Sequence, residues 1–241
     1  MALVRIPLVF FGVDSAIYLV AALIGFFVAY YAYRTYDLTR QRQHFYLTAG
    51  FIILSLGFLT LALSSLFGYL SLSAAAAGTG ATIFDNVFDA HDFGYWIYYV
   101  LSVVAYLCFA VMYLPGKAKI PGALVVVPLW FEAYPFFHLL SFVLIAFVVM
   151  RTAINFLLRK STRSFLVAFA FGCFAIFHAL LLLSALRGLI YVLAHGFLFL
   201  GTIALLLVLM QLRRTPAARR SRGIEMKPGA ARAPRKRAGP F

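Results

Sequence analysis

The sequence predicts an all-α integral membrane protein with seven transmembrane helices, its N-terminus outside and its C-terminus in the cytoplasm. The chain of 241 residues is 64% hydrophobic, whereas soluble domains are roughly 45–50% apolar. Its long apolar runs have the length that a bilayer requires of a spanning helix. Most of the lysines and arginines that precede the C-terminal tail fall in short connectors that a seven-helix arrangement collects on one side of the membrane.

Seven apolar segments are interpreted as spans. In chain order they are Ser15–Tyr33, Phe45–Leu70, His91–Leu114, Gly122–Phe131, Pro135–Leu158, Ser164–Leu186 and Leu189–Leu212. Asp14 is placed as the N-cap of the first span. The start of the chain lacks a convincing cleavage site, so we interpret the first segment as a retained span rather than a signal peptide.

The number of spans depends on the apolar run from Ile120 to Leu158. This run is too long for one span, and its strong interruptions are Glu132 and Pro135. Helices tend to stop before a proline, and a carboxylate is costly at the centre of a bilayer. A turn at these two residues gives seven spans with a short fourth one. Without that turn the chain has six spans, and every later connector changes sides.

The basic residues favour seven spans. The seven-span arrangement puts one set of basic residues on the same side as the C-terminal tail: Arg34, Arg40, Arg42, Lys117, Lys119, Arg159, Lys160 and Arg163. Six spans would move the last three to the opposite side. Since short cytoplasmic loops are rich in lysine and arginine, this side is predicted to be the cytoplasm, in a multi-pass protein of the cell membrane.

Residues 213–241 form a basic tail behind a membrane domain of residues 1–212. The tail holds ten of the 21 lysines and arginines and one acidic residue, Glu225. It cannot bury a core and is predicted to be disordered and cytoplasmic. The stretch from Arg213 to Arg237 is expected to attract anionic lipid headgroups, and a larger membrane complex is a further possible partner. Nucleic acid is not an expected partner, because no aromatic residues are interleaved with the basic ones.

Two short internal matches indicate a repeat. Leu38–Ala49 matches Leu157–Ala168 at an offset of 119, and Ala90–Phe93 matches Ala194–Phe197. They predict two three-helix units joined by a short linker helix. This plan resembles that of SWEET-type sugar carriers and of rhodopsin-like seven-helix proteins. The likeness is one of architecture without a shared motif, and a fold does not determine a function.

Four histidines are the candidate site. His91, His138, His178 and His195 lie on four segments, all in the extracytoplasmic half of the seven-span arrangement. Ionisable residues inside a membrane usually face the bundle interior, so these histidines are predicted to converge. Two imidazoles from facing helices can ligate a haem iron, and His195 paired with either His178 or His91 is the candidate ligand set. Arg187 is the candidate partner of the haem propionates.

Small neighbours favour a haem b site. Ala179 and Gly196, each next to a candidate ligand, would leave room for the macrocycle. Without haem, histidine together with Glu132 or Asp92 could bind zinc or copper. No two histidines stand four residues apart, so a single helix does not offer two ligands.

Aromatic clusters are interpreted as interfacial belts. One cluster, at the outer end of the third predicted span, consists of Tyr95, Trp96, Tyr98 and Tyr99. Another lies at the inner end of the first span and consists of Tyr30, Tyr31, Tyr33 and Tyr36. On this interpretation the tyrosines anchor the helices and do not belong to the site.

Three functional hypotheses follow. The first is a haem- or metal-linked redox subunit. The second is a small-solute or ion transporter, with Glu132, Asp14 and Asp92 as candidate substrate or ion residues and a broken helix at Pro135. The third is a sensor or assembly subunit without chemistry. A retinal Schiff base is not expected because no lysine lies mid-span, and no phosphate-loop or zinc-protease motif indicates soluble-type enzyme chemistry.

Overall fold

The structure, a computed structural model, is a bundle of long helices. It describes residues 8–76, 83–114, 134–184 and 188–223, and these contain no strand. The helices are α1 Leu8–Thr39, α2 Arg42–Ala76, α3 Ile83–Met112, α4 Tyr134–Arg159, α5 Thr162–Leu183 and α6 Gly188–Gly223.

Each of the six helices contains a segment long and apolar enough to cross a membrane, with lengths of 20 to 30 residues. Lipid offers the backbone no hydrogen-bond partners, so a spanning segment satisfies its own groups by forming a helix. Large apolar side chains such as Leu23, Phe27 and Leu63 are more than half exposed on the outer surface, where acyl chains would contact them. The chain is therefore a multi-pass membrane protein.

The helices form a ring in which each packs against the next and α6 closes against α1. Packing is extensive among α1, α2 and α3, which we call the first unit, and among α4, α5 and α6, which we call the second unit. The backbones of the two units approach each other less extensively, at α3 with α4 and at α6 with α1, and side chains of α2 and α3 also reach α5. The bundle therefore divides naturally between these units.

Helices α3 and α4 run in the same direction. Tyr99 in the middle of α3 contacts His138 near the start of α4, and Arg151 near the end of α4 donates to the carbonyl of Tyr113 just after α3. The end of α3 and the start of α4 therefore lie at opposite ends of the bundle. We call the end at which α1, α3, α4 and α6 begin the first end.

The opposite end, which we call the basic end, holds the turns between α1 and α2 and between α4 and α5. Both turns have the same geometry. Arg40 and Lys160 have φ angles of 53° and 46°, and each backbone N–H donates to the carbonyl four residues earlier at 2.7 Å. The exposed basic side chains at these turns are Arg34, Arg40, Arg42, Arg159, Lys160 and Arg163. The two groups of basic residues therefore lie at the same end of the bundle.

Aromatic rings fill the interior toward the basic end. The ring centroid of Phe109 lies 4.8 Å from that of Phe51 and 5.5 Å from that of Phe171. We call these three residues the aromatic cluster. Gly50 allows α3 to approach α2 here, because a Cβ at position 50 would overlap the ring of Phe109. The cluster joins α2, α3 and α5 through aromatic ring contacts.

Two predictions about the first helices are wrong. Helix α1 begins at Leu8, so Asp14 lies within the helix and is not its N-cap. The residues before Asp14 are apolar and continue the helix. The spans Ser15–Tyr33 and Phe45–Leu70 predict a connector Arg34–His44, but the observed connector is Arg40–Gln41. Both helices continue past the apolar layer, where polar side chains can contact water and lipid headgroups.

Several predicted features lie outside the described residues. They are the fourth span Gly122–Phe131, Glu132, Arg187, and the tail beyond residue 223. Helix α6 continues to Gly223, past its apolar segment that ends at Leu212. Six helices apolar enough to span a membrane are thus present in the described part of the chain, and the seventh span stays a prediction.

Candidate functional site

Three of the four candidate histidines are buried inside the bundle. His138 of α4, His178 of α5 and His195 of α6 are at most 1% exposed. His91 lies on α3 eight residues before Tyr99, about two helical turns nearer the first end. The side chains of His91 and of Asp92, the neighbouring ion candidate, lie outside the described residues. The candidate histidines that can be placed all belong to the second unit, whereas His44 lies near the start of α2, at the basic end.

His138 and His178 contact each other directly. Their Nδ1 atoms are 3.1 Å apart. Each ring also meets a tyrosine of α3 through its Nε2. The Tyr99 hydroxyl is 3.4 Å from Nε2 of His138, and the Tyr106 hydroxyl is 2.8 Å from Nε2 of His178. We call these four side chains, joined by three hydrogen bonds, the dyad chain.

Donor and acceptor roles in the dyad chain depend on one another. Two neutral imidazoles share the Nδ1 contact when one Nδ1 carries a proton and the other does not. If His138 donates from Nδ1, its Nε2 is bare and accepts from Tyr99. His178 then carries its proton on Nε2 and donates to Tyr106. The opposite tautomers reverse the direction of all three bonds.

His195 is held by other partners. Its Nδ1 is 2.8 Å from the carbonyl oxygen of Tyr191, and its Nε2 is 2.6 Å from the hydroxyl of Tyr18 on α1. A carbonyl only accepts, so neutral His195 carries its proton on Nδ1 and Tyr18 donates to Nε2. The ring of Phe177 lies against both His195 and His178 in edge contacts. His178 therefore pairs with His138 rather than with His195.

Asp14, an ion candidate, is completely buried on α1. Its Oδ2 accepts a hydrogen bond of 3.0 Å from the Tyr191 hydroxyl, which lies 3.1 Å from the hydroxyl of Tyr95 on α3. Its Oδ1 has no hydrogen-bond partner, and no lysine or arginine of the described residues forms an ion pair with it. A carboxyl group without a cation is costly inside a membrane, so stability alone does not explain its position.

These groups form a polar path from the first end into the middle of the bundle. Tyr95, Tyr99 and Tyr106 mark its course along α3, and the rings of Tyr95 and Tyr99 are 6.0 Å apart. At about 1.5 Å per residue the path rises roughly 16 Å, about half of a hydrocarbon core of ~30 Å. Past Tyr106 it meets the ring of Phe109, 6.3 Å away, in the aromatic cluster. The path is therefore closed toward the basic end.

Five side-chain hydrogen bonds of the site join the two units. They are Tyr18–His195, Asp14–Tyr191, Tyr95–Tyr191, Tyr99–His138 and Tyr106–His178. Each unit contains its own apolar packing, whereas the contact between the units is polar at its centre. We call this surface the polar interface.

A small cavity lies beside the site, between α1, α2, α5 and α6. Its lining includes Gly25, Ser55 and Thr202. The Oγ of Ser55 is buried without a hydrogen-bond partner. A space of this kind suits a water molecule when a polar atom faces it, so the cavity offers polar character on the basic side of the polar interface.

The tyrosines of the site were missed by sequence reasoning. The belt interpretation is wrong for Tyr98 and Tyr99, which are 1% and 6% exposed, whereas Tyr30 is 54% exposed. Tyrosine suits both an interface and a buried hydrogen bond, so composition does not separate the two. Spacing carries a signal, because residues four apart such as Tyr95 and Tyr99 share one face of a helix.

The space predicted beside Gly196 does not lie between the histidines. Gly196 is exposed on the outer surface, and a Cβ there would meet no atom within 4 Å. Ala179, the other small neighbour, is half-buried. Among the described residues no group of three or more His, Cys, Asp or Glu side chains is placed to hold a metal ion.

The arrangement suits the holding and passing of protons within two hydrogen-bonded runs, Asp14–Tyr191–Tyr95 and the dyad chain, which meet where the rings of Tyr95 and Tyr99 pack together. Comparisons with models of protein families, with curated proteins and with solved structures gave no match to this chain. Inference about function therefore depends on the chemistry of the polar interface.

Proposed function

We propose that this protein is an ion or small-solute transporter whose two three-helix units move against each other around the polar interface. The observation that carries the proposal is the set of five hydrogen bonds that join the units. Ionisable groups inside a membrane are costly, and they commonly mark ion pathways and proton relays. A row of ionisable and hydroxyl groups between two separately packed units is what we expect of an interface that opens and closes during transport.

The energetics of the polar interface suit movement. An interhelical hydrogen bond in a membrane contributes about 0.6 kcal/mol on average. Five such bonds can therefore exchange partners, while the larger packing surfaces within each unit hold its three helices together. Separation of the units would expose Asp14 and the dyad chain to water and let an ion enter.

The one-sided path supports alternating access. Polar groups extend inward from the first end and stop at Tyr106, where Phe109 and the aromatic cluster begin. In this conformation an ion that reached the middle of the bundle could not continue to the basic end. A rocking of the units that opens the aromatic cluster would complete the passage.

Two features support a three-plus-one-plus-three plan with seven spans. Arg40 and Lys160, 120 positions apart, end α1 and α4 in the same left-handed conformation. This spacing differs by one residue from the offset of the Leu38–Ala49 match. The parallel course of α3 and α4 calls for a chain segment that returns across the membrane between them. We propose that the predicted fourth span, Gly122–Phe131, supplies that crossing, with the first end outside.

This orientation places the basic end in the cytoplasm. The exposed arginines and lysines of the two turns then obey the positive-inside rule. The basic stretch from Arg213 to Arg237 would lie against the anionic lipid headgroups of the same leaflet.

Reconstitution into liposomes tests the proposal. Proteoliposomes would be loaded with a pH-sensitive dye or a sodium- or potassium-sensitive dye, and flux would be followed after a gradient of each ion is imposed. Asp14→Asn is expected to reduce the flux, whereas Asp37→Asn should not, because Asp37 is an exposed residue paired with Arg40 at the basic end. Absence of flux for every ion, and for labelled sugars and amino acids, would contradict the proposal.

A haem- or metal-linked redox subunit is the second proposal, and one observation favours it. His195 donates from Nδ1 to a backbone carbonyl, the arrangement that commonly orients a metal-ligating histidine and leaves Nε2 for the metal. Because Nε2 accepts from Tyr18, ligation would require Tyr18 to move away. A reduced-minus-oxidised absorption spectrum tests this second proposal. Haem bands that disappear in His195→Ala protein would establish haem ligation by His195. A flat spectrum, together with no metal by elemental analysis, would exclude both haem and another bound metal.

A further inference from the structure

We propose that the transported ion is the proton and that the dyad chain carries it. This inference rests on the transporter proposed above and names its ion. The dyad chain is the one run of the site in which imidazoles are bonded to each other as well as to hydroxyls, so protons can pass through both rings. Each ring nitrogen of His138 and His178 already faces its next partner.

The transfer balances in protons. In the starting state Tyr99 donates to Nε2 of His138, His138 donates from Nδ1 to His178, and His178 donates from Nε2 to Tyr106. A proton that arrives at Tyr99 drives each of these bonds to transfer its proton by one position. Tyr106 receives a proton on its oxygen and gives its own hydroxyl proton to water that reaches it from the basic side when the units separate. One proton enters, one leaves, and both histidines have changed tautomer.

The rings must then be reset before a second proton can pass in the same direction. Resetting requires each imidazole to turn over, which breaks its two hydrogen bonds. His138 is packed against Tyr99, and His178 against Tyr106 and Phe177 in edge contacts. These contacts block the turn while the units are together. The rings are released when the units separate, so we infer one proton for each conformational cycle.

The surroundings direct the proton along this chain. The titratable groups bonded to the dyad are Tyr99 and Tyr106. Tyr98 packs against Tyr99 with ring centroids 5.6 Å apart, and His195 lies behind Phe177, whose ring contacts both His195 and His178. Asp14 and Tyr95 lie before Tyr99 on the first-end side, which is where a proton would be collected. Beyond Tyr106 the aromatic cluster blocks release, so discharge is tied to the movement of the units.

The test compares three tyrosine variants in proteoliposomes that contain a pH-sensitive dye. Tyr106→Phe and Tyr99→Phe each remove one hydroxyl from the chain and keep the ring. Each is expected to lower the proton flux by about a hundredfold, the lower end of what a positioned proton-transfer group contributes to catalysis. Tyr30→Phe, at an exposed position, serves as the matched control and should leave the flux unchanged.

A second measurement does not depend on flux. Nitrogen-15 NMR of histidine-labelled protein distinguishes protonated from bare ring nitrogens. The dyad should show one protonated and one bare Nδ1, and Tyr106→Phe should shift the populations of the two tautomers. In His44→Gln protein, which loses a histidine far from the dyad, the dyad signals should not change.

The possible outcomes separate this inference from the transporter proposal. Flux of sodium, potassium or a solute without protons would overturn the proton inference and leave the transporter standing. Proton flux that survives both Tyr99→Phe and Tyr106→Phe would remove the dyad chain from the route. No flux of any kind would end both proposals. A dyad in which both Nδ1 atoms are bare would contradict the hydrogen bond on which the transfer depends.

Discussion

Replacement of Tyr18 by phenylalanine tests whether the polar interface contributes to holding the units together. The change removes the hydroxyl that lies 2.6 Å from Nε2 of His195 and keeps the aromatic ring. The ring stacks on Phe58 with centroids 6.2 Å apart, and this contact is available to phenylalanine as well. Volume and packing are nearly conserved, so the experiment removes the hydrogen bonding of one hydroxyl, which joins α1 to α6.

The expected loss in the free energy of unfolding is about 1–2 kcal/mol. Leaving a buried acceptor unpaired typically costs about 1–3 kcal/mol. Membrane hydrogen bonds average about 0.6 kcal/mol and reach about 1.7, because the unfolded chain in a membrane also finds partners. Tyr18 and His195 are both almost completely buried, and this moves the expectation to the upper part of the membrane range.

Equilibrium unfolding in bicelles or in mixed detergent is the assay. Tyr30→Phe is the matched control, since Tyr30 is more than half exposed, and we expect it to change stability by less than about 0.5 kcal/mol. A double-mutant cycle with His195→Leu should give a coupling energy of about 1 kcal/mol. If Tyr18→Phe and Tyr30→Phe have the same effect, the bond does not hold α1 to α6 and the reasoning fails.

Other regions of the bundle give further predictions. Gly50→Ala should lower the free energy of unfolding by about 1–3 kcal/mol, because the added Cβ overpacks the aromatic cluster. Gly172→Ala should raise it by about 0.5–1 kcal/mol in the same denaturation assay, because a Cβ at position 172 meets no atom within 4 Å. Equal effects of the two variants would contradict the packing around Gly50. Ser161→Ala should cost about 0.5–2 kcal/mol because it removes the N-cap of α5, and no change would show that the cap is dispensable. His138→Leu should be more destabilising than the double variant His138→Leu/His178→Leu, since the single change leaves a buried partner unpaired; the opposite order would argue against the Nδ1 contact.

Much of the fold was predictable from the sequence because the bilayer imposes a length and a polarity on each span. The predicted fifth span, Pro135–Leu158, agrees with the apolar part of α4, which ends at Arg159. Helix ends were less predictable. Helix α1 continues to Thr39 because a helix can extend beyond the apolar layer when its side chains are polar. Hydropathy marks the layer and not the end of the hydrogen bonding.

The candidate site was only half predictable. Histidine is rare in membrane spans and costly there, so its presence points to the interior, and His138, His178 and His195 are indeed buried. Which histidines pair could not be derived, because partners on different helices have no fixed spacing in the sequence. Tyr106 was missed for another reason, since an aromatic residue in an apolar run is as compatible with lipid contact as with a hydrogen bond.

The distribution of polar groups bears on whether the interface exists for stability or for movement. A bundle selected for stability alone would be as stable with apolar packing between its units. Transmembrane helices associate readily through complementary packing and small residues at their interfaces. Here Gly201 already brings α5 and α6 close together, and a Cβ there would lie 2.8 Å from the ring of Phe174. Such contacts hold helices within the second unit. Between the units the chain instead places a buried carboxyl with an unpaired oxygen and two imidazoles that bond each other. These groups add little net stability, and each has a second state, protonated or tautomeric, that favours different partners. A surface with weak bonds and two sets of partners can change its arrangement at small cost, so we infer that the division between the units is where this protein moves.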